Sequence, residues 1–130
     1  MIQPVGNQVL LIRRAIEPYI GKRALPGRYV DFGESWQEAA VRELWEETGI
    51  EEASHSMKLV AVYKGWHGAT MLVFAEAPSI EPADVSLDAT NSEVSEMMLC
   101  HPSQLTDVDF AFPLHREVVE EWIRGTATTE

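Results

Sequence analysis

The chain is poor in cysteine, in basic residues and in long apolar runs, and each shortage narrows what it can be. A single cysteine, Cys100, leaves no internal disulfide. Ten Lys and Arg stand against 21 Asp and Glu, for a formal net charge of −11. That field repels a nucleic-acid backbone, so no nucleic-acid partner is expected. Apolar runs such as Val9-Leu10-Leu11-Ile12 fall far short of the roughly 20 residues that cross a bilayer, so no membrane partner is expected either. The opening MIQPVGNQ lacks the charged and apolar regions of a signal peptide. The four histidines have no metal-ligand spacing. The expectation is a cytoplasmic protein.

What is present suits one core. The 130 residues are 45% apolar, with four Trp and four Phe, enough for a single domain over 1–130. Gln8 to Arg14, "QVLLIRR", is rich in branched apolar residues between turn signals and predicts a strand. A loop follows with Pro18, Gly21, Pro26, Gly27 and Gly33. Ser35-Trp-Gln-Glu38 fits a capping box, so a helix should begin at Trp36 and stop at Gly49. "MKLVAVYKGW" and "ATMLVFAEA" flank His67-Gly68 as a hairpin, and "EVSEMMLC" offers a further strand. Pro113 suits the first position of a last helix over Leu114 to Arg124, closed by Gly125, with a disordered tail at 126–130. Only Met1 to Val5 precede Gly6-Asn7. The first strand therefore reads as a short edge that a partner chain could complete, which leaves a homodimer open.

The first helix carries an electrostatic cost. Glu43, Glu46 and Glu47 fall within about one turn, where like charges at these spacings repel by a few tenths of a kcal/mol per pair. They project from one third of the circumference, next to an apolar arc of Ala40, Val41, Leu44 and Thr48. They also sit in the last turns, where the helix dipole disfavours anions. A solvated acidic face is the plain reading. Hard divalent cations would reverse the sign of the cost, since Mg²⁺ takes carboxylate and water ligands and is often shared with substrate phosphates. Arg42 can orient a carboxylate through a bidentate contact.

These residues resemble the Nudix hydrolases, whose signature reads G-x5-E-x7-R-E-U-x-E-E-x-G-U with U aliphatic. Glu34, Arg42, Glu43, Leu44, Glu46, Glu47, Gly49 and Ile50 fall on it with the correct spacing. Arg28 stands where the first signature glycine belongs, within "LPGRYVDFGE". The "LLIRR" strand, the "ALPG" approach and "FAFPLHREV" extend the likeness along most of the chain. The resemblance implies an α/β/α sandwich with a mixed, partly antiparallel sheet. It also implies a hydrolase of nucleoside diphosphates linked to another group, working with Mg²⁺ or Mn²⁺. Carried over by position, Glu46 and Glu47 would be metal ligands and Glu43 a further ligand or base. Glu34 would reach the metal through water, Arg42 would position the glutamates, and the carbonyl of Gly27 would complete the shell. Family members also recruit an acidic residue beyond this box, for which Glu93 and Glu96 are the candidates here.

Several side chains keep two readings. A glycine at position 28 would mean positive φ or close backbone approach, which costs an arginine roughly 1 kcal/mol or more. Arg28 is then a tolerated solvent-facing residue, a phosphate ligand or a mark of weakened activity. Arg14, at a strand end, and Arg23 are further phosphate candidates. Trp36, Trp45 and Trp66 read as core before base stacking, and Cys100 as core before nucleophile. The substrate expected is a small nucleotide, with an ADP-ribose-like molecule or dinucleotide favoured and nucleoside triphosphates open. A nucleotide sensor without catalysis, or an isoprenyl diphosphate isomerase needing a catalytic cysteine, are the alternatives.

Overall fold

The computed structural model describes residues 1–65, 71–88 and 92–128, the last three of these in backbone only. The strands are β1 (Pro4–Val5), β2 (Gln8–Arg14), β3 (Arg23–Ala24), β4 (Lys58–Lys64), β5 (Met71–Glu76) and β6 (Val94–Cys100). The helices are α1 (Trp36–Thr48) and α2 (Pro113–Thr128). The turn expected at His67-Gly68, the residue Trp66 and the last two tail residues lie outside the described residues.

β2 is the centre of the sheet. One edge pairs antiparallel with β6 from Val9↔Cys100 to Arg14↔Val94, and the other pairs with β1 and then β3. Side-chain alternation gives the strand two apolar faces. Leu10 and Ile12 join the cluster containing Ala40 and Leu44 of α1, and Val9 and Leu11 join the one containing Val118 and Val119 of α2. The result is the α/β/α sandwich. Leu44 is fully buried, and truncation to alanine would cost about 2–5 kcal/mol in lost transfer energy and cavity.

The N-terminal segment is not an edge awaiting a partner. On one side β1 pairs with β2; on the other, Ile2↔Glu76 and Val5↔Ile80 form parallel bridges. The Ile2 amide donates to Ala75 O at 2.7 Å, and the Ala77 amide to Ile2 O at 2.9 Å. This parallel pairing joins the β4–β5 hairpin to the rest and makes the sheet mixed. Both neighbours come from the same chain.

Two helix details differ between expectation and structure. α2 starts at Pro113 as expected, but it runs through Gly125 to Thr128, so Gly125 does not close it and 126–128 are helical. Gly125 is absent from the positive-φ glycines. A glycine costs a helix interior about 1 kcal/mol but ends it only where the chain turns left-handed. Trp36 packs against the α1-side core, whereas Trp45 is 54% exposed, because it sits beside Glu46 on the outer face.

Candidate active site

The local sequence builds α1 as a rigid mount. Ser35 Oγ accepts from the Glu38 amide at 3.1 Å, and Glu38 Oε1 accepts from the Ser35 amide at 2.9 Å. At the far end Gly49, with φ 76°, donates to Trp45 O at 2.8 Å. No basic residue occupies the last turn, so no cation in that turn compensates the carboxylates.

The compensation comes from Arg42. Its Nε donates to Glu34 Oε2 at 2.8 Å and its Nη2 to Glu34 Oε1 at 3.0 Å. Nη1 reaches Glu43 Oε1 at 2.7 Å and Glu46 Oε2 at 3.3 Å, and Nη2 also donates to Tyr29 O at 3.0 Å. One guanidinium thus ties Glu34 and Tyr29 of the loop before α1 to Glu43 and Glu46 of the helix. Its own pKa is raised, chiefly by the hydrogen bond to Glu34, and the same bond lowers that of Glu34.

Glu47 and Glu43 are the buried members of the cluster, at 3% and 6% exposure. Glu47 Oε2 accepts from the Gly27 amide at 2.6 Å. Burial pushes its carboxyl up to about 7 against that bond, and Glu43 pushes it further. Glu43 is also raised, first by burial, against the pull of Arg42. Glu93 adds to the rise at both. The loop that carries β6 therefore delivers Glu93 to this cluster, where its carboxylate pairs with Arg28.

Position 27, not 28, needs the glycine. Gly27 has φ 141°, while Arg28 is not among the residues with positive φ. The strain expected at Arg28 is thus absent, and its guanidinium lies on Glu93 and 5.8 Å from the Tyr29 ring centroid. Its pKa is raised, mainly by Glu93.

The other candidates divide. Arg14 faces the α1 side; its Nε donates to Pro18 O at 2.7 Å and its guanidinium lies 5.1 Å over the Phe112 ring. Arg23 is not brought to the cluster. It pairs with Arg13 in register, and its Nε donates to Met98 Sδ at 3.3 Å, among the α2-side residues. Glu96 bridges Arg13 at 3.5 Å on that same face. Glu96 lies within β6 opposite Arg13, whereas Glu93 precedes the strand, beyond a bulge at which Arg13 pairs with Glu96 but Arg14 with Val94, leaving Ser95 over. Cys100 is buried in the α2-side core, the cluster opposite α1, with its thiol pKa raised by burial.

Sequence reading passed over His115. It is half-buried, accepts the Leu25 amide at Nδ1 (3.1 Å), and has its pKa pushed down to about 3 by desolvation. The Leu-Pro-Gly approach is thereby fixed to α2. Only its place in "FAFPLHREV" could have pointed to it.

Among the described residues no three Asp, Glu, His or Cys side chains converge as a ready set of metal ligands. Arg42 and the Gly27 amide hold the carboxylates instead. The donor chemistry nevertheless fits a hard cation. The groups are oxygens only, and burial disfavours the charged forms of Glu43 and Glu47, which a divalent ion would stabilise. A cavity of about 450 Å³ lies beyond the helix C-terminus, lined by Thr48, Ile50, Ile80 and Asp84 among others, and none of the cluster glutamates lines it. No helix among the described residues is long and apolar enough to cross a membrane.

The fold and this cluster match known proteins. The NUDIX domain family model matches residues 1–122. A stretch of 44 residues is 52% identical to an ADP-ribose pyrophosphatase of Methanocaldococcus jannaschii, covering 34% of this chain and 26% of that relative. The NUDIX domain of Shewanella oneidensis NrtR, solved with ADP ribose, superposes with a TM-score of 0.77 at 19% identity, over 96% of this chain and 82% of that one. A bifunctional NMN adenylyltransferase/ADP ribose pyrophosphatase of Francisella tularensis, solved with AMP and a Mn ion, gives 0.76 at 18% identity, over 95% of this chain and 39% of that one. At such identities the two structures speak for the fold alone. The match spans about a quarter of the curated relative's length. The fold and the helix-borne glutamates define a Nudix domain. The chain belongs to the NUDIX domain family, the Nudix hydrolases.

Proposed function

We propose that the chain is a divalent-metal-dependent pyrophosphohydrolase of nucleoside diphosphates linked to another group. An ADP-ribose-like molecule or a dinucleotide is the favoured substrate, with nucleoside triphosphates as the second class. The reading takes a cytoplasmic protein with a small nucleotide as its partner. One observation carries it: two buried glutamates and a third beside them share one helix face, and the pKa of each buried one is raised. A fold does not maintain such a cost for stability. The short match to an ADP-ribose pyrophosphatase supports the substrate class.

Glu43, Glu46 and Glu47, with the Gly27 carbonyl, would hold Mg²⁺ or Mn²⁺, and Glu34 would contact it through water. When bound, the ion neutralises the diphosphate and lowers the pKa of an attacking water. The chain's residues do the positioning. Arg42 holds Glu34 and Glu43 in fixed positions, which limits the reorganisation needed at reaction. The Gly27 amide fixes one oxygen of Glu47 and leaves the other free to bind. Glu93, whose charge acts on Glu43 and Glu47, would take a proton or orient water. Arg28 and Arg14 would meet substrate phosphates, whereas Arg23 supports this reading least because it lies on the other face.

A panel of nucleotide substrates assayed with Mg²⁺ and with Mn²⁺, followed by identification of products, tests the proposal. Glu46→Gln and Glu47→Gln should each lower turnover by orders of magnitude with the fold intact. Near-normal turnover in both variants, or no phosphoanhydride cleavage across the panel, would overturn it.

A further inference from the structure

Tyr19 has φ 63° and is the non-glycine residue with positive φ among those described. A bulky aromatic side chain is an outlier in that region, and such conformations persist only where the surroundings impose them. Burial of the ring does not repay the strain, for Tyr19 is 44% exposed. Its ring stands edge-on to Phe112 with centroids 5.7 Å apart. Lys22 Nζ lies 5.8 Å from the Tyr19 centroid, and the Arg14 guanidinium 5.1 Å over Phe112. Two rings and two cations share this hairpin surface.

Two short routes connect it to the glutamate cluster. Phe112 packs on His115 at 5.0 Å, and His115 holds the Leu25 amide two residues before Gly27. On the other side, the Ala15 amide donates to Glu93 O at 2.9 Å, and the Glu93 side chain meets Arg28. Five of the ten basic residues, Arg13, Arg14, Lys22, Arg23 and Arg28, fall between positions 13 and 28 of a chain with formal charge −11. Of these, Arg13 and Arg23 lie on the α2 side and Arg28 is paired with Glu93, so Arg14 and Lys22 are the cations beside the two rings, Lys22 also bridging Asp109.

We propose that Tyr19, with Phe112 behind it, forms the platform that takes the aromatic base of the nucleotide; the inference rests on the reading of the neighbouring site as a nucleotide site. An exposed ring offers a face on which any base stacks, and nearby guanidinium and ammonium groups add cation–π attraction. With this backbone the ring rests edge-on against Phe112 and still keeps 44% of the residue exposed.

The test compares AMP with ribose 5-phosphate, which lacks the base, by calorimetric titration without divalent metal. The proteins are the full chain, Tyr19→Asn and Tyr19→Phe. Asn enters positive φ more readily than Tyr, so the loop is kept and Tm should hold or rise. The wild type should bind AMP more tightly than ribose 5-phosphate. Tyr19→Asn should lose about 5- to 100-fold in AMP affinity with ribose 5-phosphate unchanged, and Tyr19→Phe should retain AMP. If Tyr19→Asn does not fold, Tyr19→Gly is read in the same way. The proposal is overturned if the wild type shows no preference for AMP, if AMP affinity survives loss of the ring, or if both ligands weaken together. No turnover is measured, so a failed hydrolysis panel would sink the functional reading without touching this one.

Discussion

Arg42 grips Glu34 with one side of its guanidinium fork, Nε to Oε2 at 2.8 Å and Nη2 to Oε1 at 3.0 Å, while the remaining nitrogen serves Glu43 and Glu46. Lysine carries the same charge but no planar fork. Arg42→Lys should therefore lower kcat/KM by about tenfold or more and reduce Tm. Steady-state kinetics and a thermal melt check this. Unchanged values in both would mean that the fork positions nothing.

Glu47 sets a pH dependence of known sign. Its carboxyl is pushed up to about 7 in the folded chain, against the 4.5 of an unperturbed glutamate. The folded state thus binds the extra proton, and the stabilisation from this group is full below pH 4.5 and lost as pH rises through 7. The cost at pH 8 is on the order of 3 kcal/mol. Metal-free protein should lose Tm across that window, and Glu47→Gln should flatten the slope. Millimolar Mg²⁺ or Mn²⁺ should raise the wild-type Tm, more at pH 8 than at pH 5, because cation and proton compete. A Tm indifferent to metal at pH 8 would contradict the metal reading.

His115 acts in the opposite direction. Its pKa falls from 6.5 to about 3 on folding, so its contribution is full above pH 6.5 and is lost as pH drops below that toward 3. Between about pH 4.5 and 6.5 it partly cancels the slope of Glu47. His115→Phe should remove this acid-side loss and leave the Leu25 amide unsatisfied, at about 1–3 kcal/mol. Melting curves at pH 4 and pH 7 separate the two effects. An unaltered difference between them would place the acid sensitivity elsewhere.

Arg28 carries no backbone strain, so glycine there has nothing to relieve. Arg28→Gly is expected to lower kcat/KM on the best substrate by about tenfold, mostly through KM, as a charged hydrogen-bond donor to phosphate is lost. The exchange Arg28→Glu with Glu93→Arg should restore the ion pair and Tm but not kcat/KM. Equal or higher kcat/KM in Arg28→Gly would make the arginine a tolerated substitution.

What was legible in the sequence was local. The Ser35–Glu38 box and Gly49 bound α1 correctly because caps act within four residues, and β2 followed from one run of branched side chains. The features that were not legible depend on distant pairing. The bulge at Ser95 exists only against Arg13 and Arg14, and beyond it Val94 turns into the α1-side core. The two-residue β3 and the φ of Tyr19 likewise arise from the closure of a hairpin. Trp45 misleads for another reason: its apolar character suggests core, while its angle on the helix puts it outside.

The segment from Ile2 to Leu10 bears bonds to both neighbours. The amides of Ile2, Ala77, Ile80, Gly6 and Leu10 all close within it or onto it. In hydrogen exchange such amides open together or not at all, since parting one side exposes the other. The β4–β5 hairpin should therefore exchange with the slow rate of β2 at its Ala75–Ala77 end and much faster at its Lys64–Met71 end. A single strip of backbone would then set how far the hairpin's fraying can travel before it reaches the layer on which the glutamates are mounted.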